Sequence, residues 1–428
     1  MRAYDIAFYV ALFFILGVGS ASLNLSIWYL VGISTITALF LYFDGKTAIS
    51  LLIFTVFIGF FYYHFYSAFT EDKIIFGRSI NFQGIVFKDP SSKLSGQEID
   101  IELQNPYRGK VRIYTPTYPE FKYGDLLDVR GVIEKSSSGR LNIISFPKIN
   151  VLDIGKGNAF KSSLFSLKRK LISNLQMVLD GEKSALMTGI LFGERAEFSK
   201  DFNDALQKSG TTHIVALSGF NISIIVTTLA SLLSYIWNKR QAFWATVAFI
   251  FMFVLMTGAE ASAIRAGIMG VVFIIAQRAS RLYSFRNAIT LTAVIMIIIN
   301  PKLLLFDVGF ELSFLALLGI IYITPSIRKI LRFAKEPGFL NWRDSLAQTF
   351  GAQLATMPVI FYVFGRITPI AAIPNLLILG LMPLTMFLGF LTSSLGFVSY
   401  HLSFITAWFT GVLLGYEIFI INLFGSGF

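Results

Sequence analysis

Residues 211–236 read TTHIVALSGFNISIIVTTLASLLSYI, an apolar stretch long enough to cross a bilayer, for which about 20 residues are needed. Similar apolar runs lie on both sides of it, at residues 6–20, 25–43, 48–69, 241–257, 261–277, 287–299, 304–323, 346–363, 370–391 and 402–424. Of the 428 residues, 55% are hydrophobic and 14% are charged, whereas soluble domains carry about 25% charged residues. The composition excludes a single water-soluble globule and predicts a polytopic α-helical membrane protein of about 11 spans.

The region 71–156 has a different pattern, in which short alternating segments are separated by turn residues. It predicts about five strands, which suit a small OB-like β-barrel inserted after the third span. Such folds often bind single-stranded nucleic acid, but nearly equal numbers of acidic and basic residues favour a structural extracytoplasmic cap.

A basic amphipathic helix is predicted to follow the β domain, because apolar residues recur there at helical spacing with Lys and Arg between them. It lies either along the membrane surface or packed on the barrel. The predicted organisation is N-terminal transmembrane helices at 1–70, the OB-like domain at 71–156, the interfacial helix at 157–182 and a transmembrane channel domain at 183–428.

The net charge of +11 has an explanation in membrane topology, because cytoplasmic loops collect Lys and Arg. Threading the runs alternately through the bilayer from a cytoplasmic N-terminus places Lys239, Arg240, Arg281 and Arg332 inside. The short loops on the other side keep little beyond Lys302 and Arg366. We therefore expect a multi-pass protein of the cell membrane with its N-terminus in the cytoplasm and its β domain outside.

Polar residues inside the apolar runs mark the candidate functional site, since they are costly in lipid unless they face a cavity or one another. In 211–236, a continuous helix would place His213, Ser218 and Asn221 on one face. Alternatively, Gly219 interrupts that helix and frees backbone groups toward a cavity. Helix packing through Ser and Gly is a third interpretation.

Later runs add Arg265, Glu311, Ser313, Gln353 and Asn375. An ion pair between Arg265 and Glu311 would fasten two helices together. In the functional alternative, Arg265 and helix N-termini offset the charge of a passing anion within a polar pore wall. The predicted pore residues are His213, Ser218, Gly219, Asn221, Arg265, Glu311, Ser313, Gln353 and Asn375.

Neither metal nor cofactor chemistry is expected. The chain has no Cys, and its three His residues are widely separated, which argues against a zinc site. A serine hydrolase using Ser218 and His213 lacks an orienting acid and a GxSxG elbow. No Walker motif is present, so energy would have to come from elsewhere.

Several segments together resemble the ComEC family of competence proteins. They are LMTGILFGERAEFSKDFNDALQKSGTTHIVALSGFNISI at 186–224, SAIRAGIMG at 262–270, GFELSFLALLGI at 309–320, AQLATMPV at 352–359 and the PN…P segment at 374–383. Each string is weak alone, but together they follow the family's order. The resemblance implies a non-enzymatic inner-membrane channel that passes single-stranded DNA into the cytoplasm during natural transformation. It also implies the lipid bilayer, a separate DNA receptor and a cytoplasmic motor as partners.

Two departures from the family pattern matter. Asn221 stands where many members have a second His, so chemistry by a His pair is not expected. Many members also carry a C-terminal metallo-β-lactamase-like nuclease domain, which this sequence does not show, so the resemblance implies a separately encoded nuclease. Two other functions stay open, namely a transporter or flippase for another anionic substrate and an intramembrane serine hydrolase.

Overall fold

The computed structural model describes residues 3–93, 96–135, 141–194, 198–215, 217–278, 285–330, 342–365 and 371–426. The orientation residues Arg281, Arg332 and Arg366 lie outside these ranges. Within them, the protein is mostly helical, with a small mixed β-sheet between the fourth and fifth helices.

Four helices precede the sheet: α1 (Ala3–Ser22), α2 (Ile27–Phe43), α3 (Thr47–Leu52) and α4 (Thr55–Phe69). After the sheet follow α5 (Ala159–Val178), α6 (Gly181–Phe192), α7 (Lys200–Lys208), α8 (Thr212–Val215), α9 (Gly219–Ile236), α10 (Lys239–Met256), α11 (Ala261–Arg278) and α12 (Phe285–Ile299). The remaining helices are α13 (Leu303–Phe306), α14 (Val308–Leu318), α15 (Thr324–Ile330), α16 (Trp342–Phe364), α17 (Ala372–Leu379), α18 (Met382–Leu395) and α19 (Tyr400–Ser426).

By length and composition, 7 of the described helices or joined helix pairs could cross a membrane, or up to 8 if the pair formed by α17 and α18, bent by 51°, is one span. Three shorter apolar helices correspond to α2, α11 and α12. Large apolar side chains such as Trp28, Phe43 and Trp408 are exposed on the outer faces of helices. That exposure is costly in water and favourable in lipid.

Several predicted runs contain breaks. The run 211–236 is not one helix: α8 ends at Val215, and α9 begins at Gly219 with Ser218 as its N-cap. The run 304–323 is divided at Asp307, the N-cap of α14. These breaks free backbone groups within apolar runs, which membrane proteins tolerate where the backbone is buried or lines a cavity.

The sheet contains seven strands in the described residues: β1 (Ser79–Val86), β2 (Ser91–Lys93), β3 (Gly96–Leu103), β4 (Lys110–Thr115), β5 (Leu126–Val132), β6 (Asn142–Ser145) and β7 (Lys148–Asp153). The order is β6-β4-β3-β1-β5-β7, with β2 paired to β3. The pairing of β4 with β6 is parallel and the other pairings are antiparallel. Strands β1 and β4 alternate between buried and less buried positions, as expected for a sheet with one face on its own core. Most positions of the central strand β3 are buried.

Helix α5 links the sheet to the later helices. It buries Leu171 and Leu175 in the main helical core, and it packs against α6, α10, α18 and α19. On its other side, the Phe165 ring meets Tyr123 of the β domain at 5.2 Å between centroids. The helix therefore contacts both regions of the protein.

Several helix crossings bring backbones into direct contact, and two of them concern the membrane helices around the cavity. A Cβ atom at Gly17 would collide with the carbonyl oxygen of Val56, so α1 lies directly on α4. A Cβ atom at Gly319 would collide with the carbonyl oxygen of Gly351 in α16. Gly319 begins a π-helical segment, Gly319–Ile323, just before Pro325, which lacks the N–H that an α-helix would use at that point.

Candidate functional site

A cavity of about 2820 Å³ extends from the β domain into the space between the helices. Its wall takes residues from β3 and β4, from α9, α11, α14, α16 and α17, and from the loops before α9 and α11. The breaks before α9 and α14 occur at this wall, so irregular backbone lies beside the cavity rather than beside lipid.

The structure brings together most of the residues predicted from sequence. Eight of them line this one cavity: His213, Ser218, Gly219, Asn221, Arg265, Ser313, Gln353 and Asn375. Glu311 is not among the lining residues, although it lies two positions before Ser313 on α14. The lining residues come from six different helices and, for Ser218, from the segment before α9, so only the tertiary fold makes them neighbours.

Ser218 and Asn221 form the N-terminal cap of α9. The Ser218 hydroxyl accepts a hydrogen bond from the Asn221 backbone N–H at 3.2 Å and donates to Asn221 Oδ1 at 2.9 Å. Asn221 Nδ2 donates to the carbonyl oxygen of Ile190 at 3.1 Å, which ties α9 to α6. Asn221 is 1% exposed. Its role is therefore to hold the start of α9 in place, and the exposed His213 presents more surface to the cavity.

Arg265 is buried beside the same helix start, with 7% of its surface exposed. Nη1 donates to the carbonyl oxygen of Ser313 at 2.6 Å. Nη2 lies so close to Gly219 that a Cβ atom there would collide with it. Buried Nε has no hydrogen-bond partner among the described residues, and neither does the buried Ser313 hydroxyl.

The ion pair between Arg265 and Glu311 does not form. Among the described residues, no carboxylate lies within 4.0 Å of the Arg265 guanidinium. The reason is local: Arg265 reaches the backbone of α14 at Ser313, and the Glu311 side chain is not part of the cavity wall. Asp307 also stays away from Arg265, because its carboxylate accepts the Phe310 N–H at 2.8 Å.

Sequence reasoning missed Ser262, whose hydroxyl donates to the carbonyl oxygen of Leu217 at 2.8 Å and so fixes the break before α9. Its position one turn before Arg265 on the same helix face was the available signal. It also missed Glu417 of α19, which is 0% exposed and accepts a hydrogen bond from Thr385 at 2.7 Å. Glu417 lies in a long apolar run, where a single acid was visible in the sequence.

The end of the cavity at the β domain carries both acidic and basic side chains. Arg112 makes two hydrogen bonds to Asp100, at 2.7 and 3.0 Å, and this contact raises the pKa of Arg112 above its ordinary value. Burial raises the pKa of Asp72, although Lys302 and Arg108 oppose the shift. The basic lining residues are Lys88, Arg108, Lys110, Arg112, Lys168, Arg265 and Lys302, and the acidic ones are Asp72, Asp89, Glu98, Asp100, Glu102, Glu194, Glu260 and Asp307. The wall as a whole is therefore close to electrically balanced.

A buried cluster of charges joins the β domain to α5 at this end. Lys168 lies 3.2 Å from Asp89 and 2.6 Å from Glu194, and Arg169 also pairs with Asp89. The Lys168 and Asp89 side chains are only 7% and 6% exposed. The described residues, this cluster included, contain no group of three or more His, Cys, Asp or Glu arranged to hold a metal ion.

Comparison with known proteins matches the part of the chain that forms the cavity wall between the helices, but not the β domain. The family model described as "Competence protein" matches residues 190–426, which include α8 to α19 and every predicted pore residue. The chain is also 26% identical over 223 residues to "ComE operon protein 3" of Bacillus subtilis (strain 168). That stretch covers 51% of this chain and 27% of the relative, so the chain spans only part of the relative's length. No solved structure matches. The extent of the family match means that this chain is a member of the ComEC family of competence proteins.

Proposed function

We propose that the protein takes part in DNA uptake during competence and passes single-stranded DNA through the membrane. The observation that carries this proposal is the continuous cavity, which runs from the β domain to the polar residues between the helices. Stacking and phosphate contacts suit a strand of any sequence, because base-specific contacts would stall it. Phe220 and His213 are cavity-lining rings available for such contacts.

The topology belongs to the same proposal. We place about 11 spans in the membrane, by adding the three shorter apolar helices to the seven long ones and the bent pair. We place the N-terminus in the cytoplasm and the β domain outside, on the Lys and Arg asymmetry of the loops. An OB-like topology is supported by an antiparallel bridge between Glu134 and Ile143, which brings the end of β5 to β6.

In this proposal, residues 1–70 and 183–428 form the membrane domain, and residues 71–156 form the external cap. The helix at 157–182 runs at the interface between them. A DNA receptor would deliver the strand, a nuclease would remove its complement and a cytoplasmic motor would pull it. The channel performs no bond chemistry. Ser218 supports this assignment, since its hydroxyl hydrogen bonds to Asn221 and not to a histidine.

The test is an uptake assay in a deletion strain complemented with the full chain. Thr227 and Thr228 are adjacent, exposed residues of α9, and Thr227 lines the cavity whereas Thr228 does not. We expect Thr227→Trp to narrow the path, so that labelled donor DNA still binds outside the cell but at least about tenfold less reaches the cytoplasm, a barrier of about 1.4 kcal/mol. The matched variant Thr228→Trp should leave uptake near the wild-type level.

Other results would contradict the channel. Normal cytoplasmic label in the deletion strain would leave the transporter for another anion as the better function. If Thr227→Trp and Thr228→Trp reduce cytoplasmic DNA label equally at equal protein levels, the cavity is not the path of the DNA. Covalent labelling of Ser218 by a serine-reactive phosphonate would favour the hydrolase.

A further inference from the structure

The surroundings of Arg265 are electrostatically unfavourable for a lone cation. The residue is 7% exposed, and its guanidinium has no carboxylate within 4.0 Å among the described residues. It also lies against Gly219, the first residue of α9. A helix N-terminus carries partial positive charge, so it repels a cation and attracts an anion.

The first turn of α9 adds hydrogen-bond donors at the same place. The Asn221 N–H is satisfied by the Ser218 hydroxyl, and the Ile222 N–H by the Ser218 carbonyl oxygen. The N–H groups of Gly219 and Phe220 have no intrahelical partner, as expected for the first helical positions. Both residues line the cavity.

The position of the guanidinium depends on glycine. Because Gly219 has no side chain, Nη2 can lie directly on the backbone at the start of α9. Nη1 is held by the Ser313 carbonyl oxygen, which fixes the plane of the group. The Ser313 hydroxyl beside it is buried and has no partner among the described residues, so it is another available donor.

We propose that Arg265 and the first turn of α9 form a binding site for one phosphodiester group of the translocating strand. The assignment rests on the proposed channel function for the identity of the ligand. An anion here neutralises the guanidinium and accepts from the free N–H groups of the helix start, which is the usual chemistry of phosphate sites. A single site of this kind holds each phosphodiester briefly without reading the bases.

The site can be tested by binding to the full chain purified in a phosphate-free detergent. The probes are a single-stranded oligonucleotide and its uncharged methylphosphonate analogue of the same sequence. For Arg265→Gln, we expect about tenfold weaker binding of the charged oligonucleotide, and a slope of log affinity against log salt that is smaller by about 0.7. Binding of the analogue should change little.

Two further variants separate the site from general charge effects. Lys329→Gln removes the same charge from an exposed residue of α15 outside the cavity, and it should leave both measurements at wild-type values. Arg265→Lys should keep the salt slope and lose part of the affinity, because an ammonium lacks the planar donor geometry of a guanidinium. Equal effects of Arg265→Gln and Lys329→Gln would overturn the proposal.

A measurement on the wild-type protein covers the case in which Arg265 variants fail to fold. Dimethyl phosphate should raise the thermal unfolding midpoint above that in chloride of equal ionic strength, since a ligand of the folded state stabilises it. No shift would overturn the site. A shift with phosphatidylglycerol but none with the oligonucleotide would identify a lipid headgroup as the ligand and overturn the strand assignment.

Failure of the site and failure of the channel give different results. If Arg265→Gln lowers oligonucleotide affinity but the deletion strain takes up DNA normally, the anion site stands and the channel function is wrong. The opposite result is loss of DNA uptake in the deletion strain, full uptake when the strain is complemented with Arg265→Gln, and an unchanged oligonucleotide affinity of that variant. The channel function would then stand without this site.

Discussion

At the β-domain end of the cavity, acidic and basic side chains satisfy one another, whereas between the helices a cation is left without a carboxylate. Arg112 pairs with Asp100, and Lys168 with Asp89 and Glu194. On α9, α11, α14, α16 and α17, the charged side chain that lines the cavity is Arg265. The charges at the β-domain end thus hold protein segments together. The charge of Arg265, between the helices, is available to a ligand, because nothing described in the protein neutralises it.

The largest expected effect concerns the buried charges that join the two ends. Lys168→Met leaves Asp89 and Glu194 with less compensation, and removing one partner of a buried pair costs about 3–5 kcal/mol. We expect a lower thermal unfolding midpoint and faster proteolysis of the β domain in the purified protein. Lys170→Met is the matched control, since Lys170 is an exposed residue of the same helix. Equal losses from the two variants would mean that the cluster does not fasten the β domain.

A smaller effect is expected at the start of α9. Asn221→Leu removes the hydrogen bond to the Ile190 carbonyl oxygen and leaves that group unsatisfied, which costs about 1–3 kcal/mol. DNA uptake should fall more than the loss of folded protein explains. The reason is that the same change loosens the first turn of α9, where we propose that a phosphodiester group binds. The comparison variant is Ile222→Leu, an apolar exchange at the neighbouring buried residue. Uptake that follows protein level in both variants would remove the special role of this helix start.

The smallest effect is expected at Lys88, a partly exposed residue at the β-domain end of the cavity. Lys88 is 40% exposed and lies 3.7 Å from Asp100, which Arg112 already binds. Asp100 is buried, but it keeps both hydrogen bonds from Arg112 when Lys88 is replaced. A long contact from a partly exposed lysine contributes less than about 1 kcal/mol, so Lys88→Gln should change neither the unfolding midpoint nor cytoplasmic DNA by a measurable amount. A marked fall in DNA uptake at normal stability would show that charges at the β-domain end also contact the DNA strand. The difference between that end and the surroundings of Arg265 would then be smaller than we propose.

The sequence predicted the helical membrane class well, because long apolar runs follow directly from the thickness of the bilayer. It predicted the cavity residues from the cost of polar groups in lipid, and eight of the nine residues named lie on one wall. Whether these residues contact DNA stays a prediction.

Pairwise contacts were harder to predict. Arg265 and Glu311 were matched by charge, but contact depends on the rotation of α14, which turns the Ser313 carbonyl toward the guanidinium instead.

The break before α9 had a local signal, since Ser218 and Asn221 stand three residues apart in the pattern of a helix cap. Of the two alternatives for 211–236, the structure has the interruption at Gly219 and not the continuous helix. The described residues of the β domain form seven strands rather than about five, because a short strand, β2, and a division between β6 and β7 carry little periodicity.

The contact between Gly319 and Gly351 has a mechanical consequence. Where two backbones touch, no flexible side chain lies between them to absorb a displacement, so the π-helical segment and α16 must shift together as one stiff unit. That unit supplies Gln353 and part of the cavity wall. If a DNA strand passes here, as we propose, widening of the cavity would have to come from elements outside this unit, such as the 51° bend between α17 and α18, where the chain has a natural hinge.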